Sequence, residues 1–159
     1  MLFDIVEIED LSGPCAKIYS IAFKGDDLTL LDHFIEDNKD YETELEEIIA
    51  RLHTMGNVTG CKALFFREHE GAAGDGLVAL RVRQMRLYCL RYDDTCIFVG
   101  SGGYKPPFIR AYQDDKELSE KASQMRKIAA SINKAIVSRD IRIDDAGAIE
   151  LTEDLELTI

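Results

Sequence analysis

The feature that most constrains the fold is a run of four short segments between Cys61 and Val99, "CKALFF", "LVALRV", "RLYCLRY" and "TCIFV", rich in β-branched and aromatic residues. Runs of this length and composition are strands. The Asp93-Asp94 pair between the last two marks a tight turn, so the middle of the chain reads as antiparallel strands joined in order. Such a sheet must be covered by other elements. Leu31, Phe34 and Ile35 recur at helical spacing; Tyr41, Leu45, Ile48, Ile49, Leu52 and Met55 then mark one face of a second helix, which "GNVTG" terminates. Leu118, Ala122, Met125, Ile128, Ile132 and Ile136 form the stripe of a long helix from about Asp115 to Ser138, capped by an aspartate-rich turn. The segments "LFDIVEI" and "AKIYSIAF" open the chain as a β-hairpin, and "IRI" and "AIEL" around Asp144–Gly147 close it as a strand pair.

At 159 residues, with 46% hydrophobic and 31% charged side chains, the chain is expected to form one folded domain. No apolar run reaches membrane-spanning length, and the acidic start lacks the basic opening of a signal peptide, so the expectation is a cytoplasmic protein without membrane contact. Cys15, Cys61, Cys89 and Cys96 form no C-x-x-C pair and have no histidine at zinc-ligand spacing, which makes them buried free thiols. The net charge of −11 argues against a simple nucleic-acid binder. Its distribution points the other way. Residues 1–59 carry 4 basic and 14 acidic side chains, residues 60–112 carry 8 and 5, and residues 113–159 carry 7 and 11, so the middle third alone is basic. Screening over roughly 8 Å lets such a patch serve an anion although the whole molecule is acidic.

The stretch "VGSGGYK" raises the question of a phosphate loop. A Walker loop requires a serine or threonine after its lysine, whereas Lys105 is followed by Pro106 and Pro107, which have no N–H to offer. A dinucleotide fingerprint also fails, because the glycines follow successive antiparallel strands rather than opening a βαβ unit. The glycines are read instead as a sharp turn at a strand exit that delivers Lys105 beside the sheet.

A two-residue turn at Gln84-Met85 sets Arg83 opposite Arg86 and Arg81 opposite Tyr88, gathering three arginines on one face, with Leu87, Cys89 and Phe98 pointing the other way into the helices. Like charges placed opposite each other are destabilising, so this face invites an anion or acidic side chains.

The order strand, two helices, antiparallel strands, helix, together with "MRLYCLRYDDTCIFVGSGGYK", resembles the RelE/ParE/HigB superfamily of toxins from type II toxin–antitoxin systems. The resemblance covers roughly Lys17 to Ile136. It implies an α+β fold in which a small antiparallel sheet is packed by an N-terminal helical hairpin and a long C-terminal helix, with residues 139–159 as a C-terminal β extension of a single domain spanning 1–159. It also implies cleavage of ribosome-bound mRNA without metal or cofactor, the RNA 2′-hydroxyl attacking the neighbouring phosphate, and a cognate antitoxin as partner. By position, Arg86 matches the phosphate-stabilising arginine, Lys105 or Arg110 the second cation, and Tyr112 the proton-transferring tyrosine. Arg81, Arg83, Tyr88 and Arg110 would then line the substrate, with His69 in "REHEGAAGDG" a candidate base by chemical type. Arginine grips developing phosphorane charge with two donors, and a positioned acid or base moves the protons. The chain departs from the superfamily's pattern in being acidic and in its extension, "DIRIDDAGAIELTEDLELTI". One branch of the superfamily poisons DNA gyrase instead of cutting RNA. A non-catalytic protein-binding module on the same scaffold is the reading from a different class.

Overall fold

A computed structural model describes residues 1–68, 76–107 and 115–159. The chain opens with two strands, β1 (Leu2–Glu7) and β2 (Lys17–Phe23), paired antiparallel. Helices α1 (Leu30–Asp37) and α2 (Glu42–Thr54) follow. Four strands come next, β3 (Arg67–Glu68), β4 (Leu77–Val82), β5 (Met85–Tyr92) and β6 (Cys96–Tyr104), then the long helix α3 (Lys116–Val137). Three short strands, β7 (Ile141–Ile143), β8 (Ile149–Leu151) and β9 (Leu157–Thr158), complete the described fold.

Seven strands form one mixed sheet in the order β3-β4-β5-β6-β2-β1-β9. This corrects the expectation of a small antiparallel sheet behind an N-terminal helical hairpin. Strands come first, and the two helices connect the opening hairpin to the central strands. That excursion lets β2 lie parallel to β6, with Lys17, Ile18 and Tyr19 beside Cys96, Ile97 and Phe98. The C-terminal segment is integral to the sheet, since β9 pairs with β1 at its edge while β7 and β8 form a separate hairpin.

The sheet has a core on each face. Alternation sends Leu80, Val82, Leu87, Cys89, Ile97 and Val99 toward α1 and α2, where they pack with Phe34, Ile48 and Leu52. The opposite face, with Tyr19, Ile21, Tyr88, Leu90 and Phe98, packs on the α3 stripe of Leu118, Ala122, Met125, Ile128 and Ile132. Phe98 therefore points away from Leu87 and Cys89, contrary to expectation, because neighbours across the β5–β6 pair are Leu90 and Phe98. Asp115 caps α3 by accepting the Leu118 N–H at 3.0 Å, and Thr29 and Asp32 form a reciprocal capping box on α1. Where "CKALFF" predicts a strand, the chain makes a 3₁₀ turn over Ala63–Phe65 and only Arg67–Glu68 pair with the sheet. Four consecutive apolar residues carry no alternation to hold a two-faced strand, and Leu64 is 78% exposed. No described helix is long and apolar enough to cross a membrane. Cys61, Cys89 and Cys96 are buried and Cys15 is half-buried, all as free thiols.

Candidate anion site on the α3 face of the sheet

The glycines of "VGSGGYK" lie within β6, which runs through to Tyr104, so the expected turn is not there. Two of them are explained by close approach. A Cβ on Gly100 would overlap the Met125 sulfur, and one on Gly102 would overlap the carbonyl oxygen of Arg86 on the neighbouring strand. A bulge accompanies them: Leu87 pairs with Gly102 and Cys89 with Val99, so that Tyr88 faces both Gly100 and Ser101.

The β4–β5 turn consists of Arg83 and Gln84 rather than Gln84 and Met85, because Val82 pairs with Met85. Arg81 accordingly lies opposite Arg86, and Tyr88 opposite Ala79. Arg83 adopts a positive φ of 53° in the turn and pairs with Glu44 of α2 at 3.2 Å, away from the arginine face. The third arginine of that face is Arg67, which faces Ala79 across the β3–β4 pair and so stands diagonal to Arg81.

Arg86 is only 8% exposed. Its Nη1 donates to the carbonyl of Gln84 at 3.1 Å, and the backbone N–H of Lys105 donates to that same oxygen at 2.8 Å. Lys105 is 9% exposed. Tyr104 stacks flat on Tyr41 on the α1–α2 side, with ring centroids 4.3 Å apart, so the pleat turns the next residue, Lys105, toward the face of Arg86. Burial above all, then Arg81 and Arg67, hold the Arg86 guanidinium below the ordinary arginine range, with the Tyr88 hydroxyl acting in the opposite sense. Burial and then Arg67 act on Arg81 in the same direction. The protein thus disfavours the charge on both guanidiniums. Among the described residues no carboxylate pairs with Arg67, Arg81 or Arg86. The buried Nε of Arg81 and the buried hydroxyl of Ser101 also have no hydrogen-bond partner there.

Two residues, one cationic and one neutral, extend this polar row beyond what the sequence suggests. Lys121 of α3 reaches down to donate to the Gly102 carbonyl at 2.7 Å and pairs with Glu117 at 3.2 Å. Ser101 shares the Tyr88 face by alternation from Gly102, which opposes Leu87. Lys121 is legible in the sequence only as the flank of the Leu118–Ala122–Met125 stripe. Tyr88 itself is buried in the core under α3 rather than lining an open surface. His69, Arg110 and Tyr112 lie outside the described residues. Among the described residues, no group of three or more histidine, cysteine or acidic side chains could hold a metal ion.

Neighbouring guanidiniums, that of Arg86 buried and that of Arg81 half-buried, with no carboxylate among the described residues to neutralise them, form a receptor for an anion with several acceptor oxygens. Each arginine offers planar paired donors, and low polarity strengthens the contact. No family model, curated protein or solved structure matches this chain.

Proposed function

We propose that this protein is the toxin of a toxin–antitoxin pair, a metal-independent endoribonuclease that takes RNA phosphates onto the Arg81–Arg86 pair. The resemblance over Lys17 to Ile136 supports the reading, and one observation carries it: the buried Arg86 and the half-buried Arg81 stand opposite each other with no carboxylate against them among the described residues. A phosphodiester supplies the missing negative charge. In the reaction the O2′–phosphorus bond forms and the bond to the 5′-oxygen breaks, with charge rising on the non-bridging oxygens where Arg86 would grip them. Lys105 adds a third cation at the same end of the sheet, and Tyr112 is proposed for proton transfer.

Inducible expression in a bacterial host tests this directly. Wild-type protein is expected to arrest growth, and Arg86→Ala, checked for folding by circular dichroism, to relieve the arrest and weaken binding of a short single-stranded RNA by tenfold or more. Unimpaired growth at high wild-type expression would sink the toxin reading.

A further inference from the structure

Helix α2 carries four carboxylates, Glu42, Glu44, Glu46 and Glu47, on the side of the sheet opposite the arginine face. A groove of about 810 Å³ runs along this helix, walled on its other side by α1 and by the β1–β2 connection. Its lining from α2 runs from Glu42 through Leu45, Glu46, Ile49 and Ala50 to His53 and Thr54, alternating steps of three and one that trace a single helical stripe. Leu11 and Ile35 complete an apolar floor, and Asp10 joins Glu42 and Glu46 on the rim. These three carboxylates are exposed and form no ion pair among the described residues. Among the described residues, no lysine or arginine lines the groove.

We propose that this groove docks an amphipathic helix of a protein partner, with leucine-like residues on the floor and lysine or arginine at the rim. Charge complementarity sets the flank: the three carboxylates select cations, as the arginine face selects an anion. The form follows from the walls. The backbone groups of α2 are consumed within the helix, so an extended peptide would find no ladder to join, whereas a helix satisfies its own and needs only side-chain contact. The stripe from Glu42 to His53 spans about 17 Å at 1.5 Å per residue, room for about three turns of a partner. A partner docked here does not cover the Arg81–Arg86 face, which lies on the opposite side of the sheet.

Selection from a displayed library of 18-residue helices with randomised surface positions, using the full-length protein as bait, tests the proposal. The expected binders carry apolar residues at spacings of three and four flanked by lysine or arginine. Their affinity should fall at least tenfold on Glu42→Lys/Glu46→Lys and on Ile49→Glu, but by less than twofold on the remote reversal Glu120→Lys/Glu153→Lys. Equal loss on the remote reversal would reveal attraction to net charge alone and overturn the proposal, as would binders without basic flanks or binders indifferent to all of these changes. A circular dichroism spectrum and a thermal unfolding curve matching wild type show that Glu42→Lys/Glu46→Lys is folded. RNA binding is read separately through Arg86→Ala, so failure here and failure of the RNA reading are distinguishable.

Discussion

The guanidinium of Arg86 and the backbone N–H of Lys105 meet on one atom, the carbonyl oxygen of Gln84, at 3.1 and 2.8 Å. The two residues are 19 positions apart, yet the turn between β4 and β5 fixes them to a common point. This places the start of the Lys105 side chain and the tip of Arg86 at the same end of the sheet. Gly102 makes the arrangement feasible, because the strand carrying Lys105 passes too close to the Arg86 backbone for any side chain between them. The glycine-rich stretch serves the candidate site by packing strands tightly, not by wrapping a phosphate.

Cross-strand like charges predict a conflict between stability and binding. Arg81→Gln removes the charge facing Arg86, and should stabilise the anion-free protein by about 0.5 kcal/mol. For a domain of this size that raises Tm by about 1–2 °C. The same variant should bind a short RNA more weakly, so thermal scans with and without RNA cross over between variant and wild type. A drop in Tm without ligand would mean that Arg81 is neutralised within the protein.

The glycines of β6 should differ sharply in tolerance. Gly102→Ala drives a methyl group into main-chain atoms of Arg86 and Leu87, which cannot rotate aside, and should destabilise by about 2–3 kcal/mol. Gly103→Ala meets only the end of Leu118 at 3.4 Å and the Lys121 ammonium at 3.7 Å, both ordinary contacts. Replacing a strand glycine there should be neutral or stabilise by up to about 1 kcal/mol. Urea denaturation of the two variants decides between close packing and a conformational need for glycine, since the latter would penalise both alike.

The cysteines should divide into one reactive and three silent thiols. Burial pushes Cys61 up to about 11 and Cys96 up to about 12, and drives Cys89 upward as well. The thiolate is the reacting species, so buried thiols held protonated react slowly even where reagent can reach them. Cys15 is half-exposed. A chromogenic disulfide reagent at mildly alkaline pH should titrate one thiol rapidly in the native protein and four in denaturant, and Cys15→Ala should abolish the rapid phase.

Local periodicity makes the opening hairpin, the three helices and the strands β4, β5 and β6 legible, because each carries its pattern within ten to twenty residues, whereas "CKALFF" has no such pattern and is no strand. The β4–β5 register is not legible. Its turn uses Arg83 at positive φ, a position where glycine or asparagine would have signalled the turn. Reading the turn one residue late slips the pairing by two positions, and a slip of two preserves the faces. The sequence therefore groups Arg81, Arg86 and Tyr88 correctly while misplacing Arg83, which pairs with Glu44. The parallel contact of β2 with β6 joins segments nearly eighty residues apart and leaves no local trace. For the same reason Gly100 and Gly102 of β6 look like part of a turn: what excludes their side chains is Met125 on α3 and the Arg86 backbone, neither of them a sequence neighbour.

The C-terminal segment makes the fold sensitive to alkali through Tyr19. This residue is buried in the α3-side core, stacked on Phe98 with centroids 5.4 Å apart, and its hydroxyl donates to the Gly147 carbonyl at 3.3 Å while accepting the Ile149 N–H at 3.1 Å. Burial raises its pKa from 10.0 to about 12, against the hydrogen bond from Ile149, which acts downward. Cys61 and Cys96 are raised in the same direction. In each case the folded state holds the proton more tightly than the unfolded chain. The stabilisation is therefore complete below the unfolded values of 9.0 for the thiols and 10.0 for the phenol, and is lost as pH rises through the folded values of about 11 to 12. Urea unfolding at pH 7 and pH 11 should show a marked fall in stability at the higher pH. Tyr19→Phe leaves the Gly147 carbonyl and the Ile149 N–H without their partner and should lower stability at pH 7 by about 1–3 kcal/mol. It should also make the alkaline fall shallower, because one of the protons that couples folding to pH has been removed. An unchanged slope in Tyr19→Phe would assign the alkaline sensitivity to the buried thiols alone.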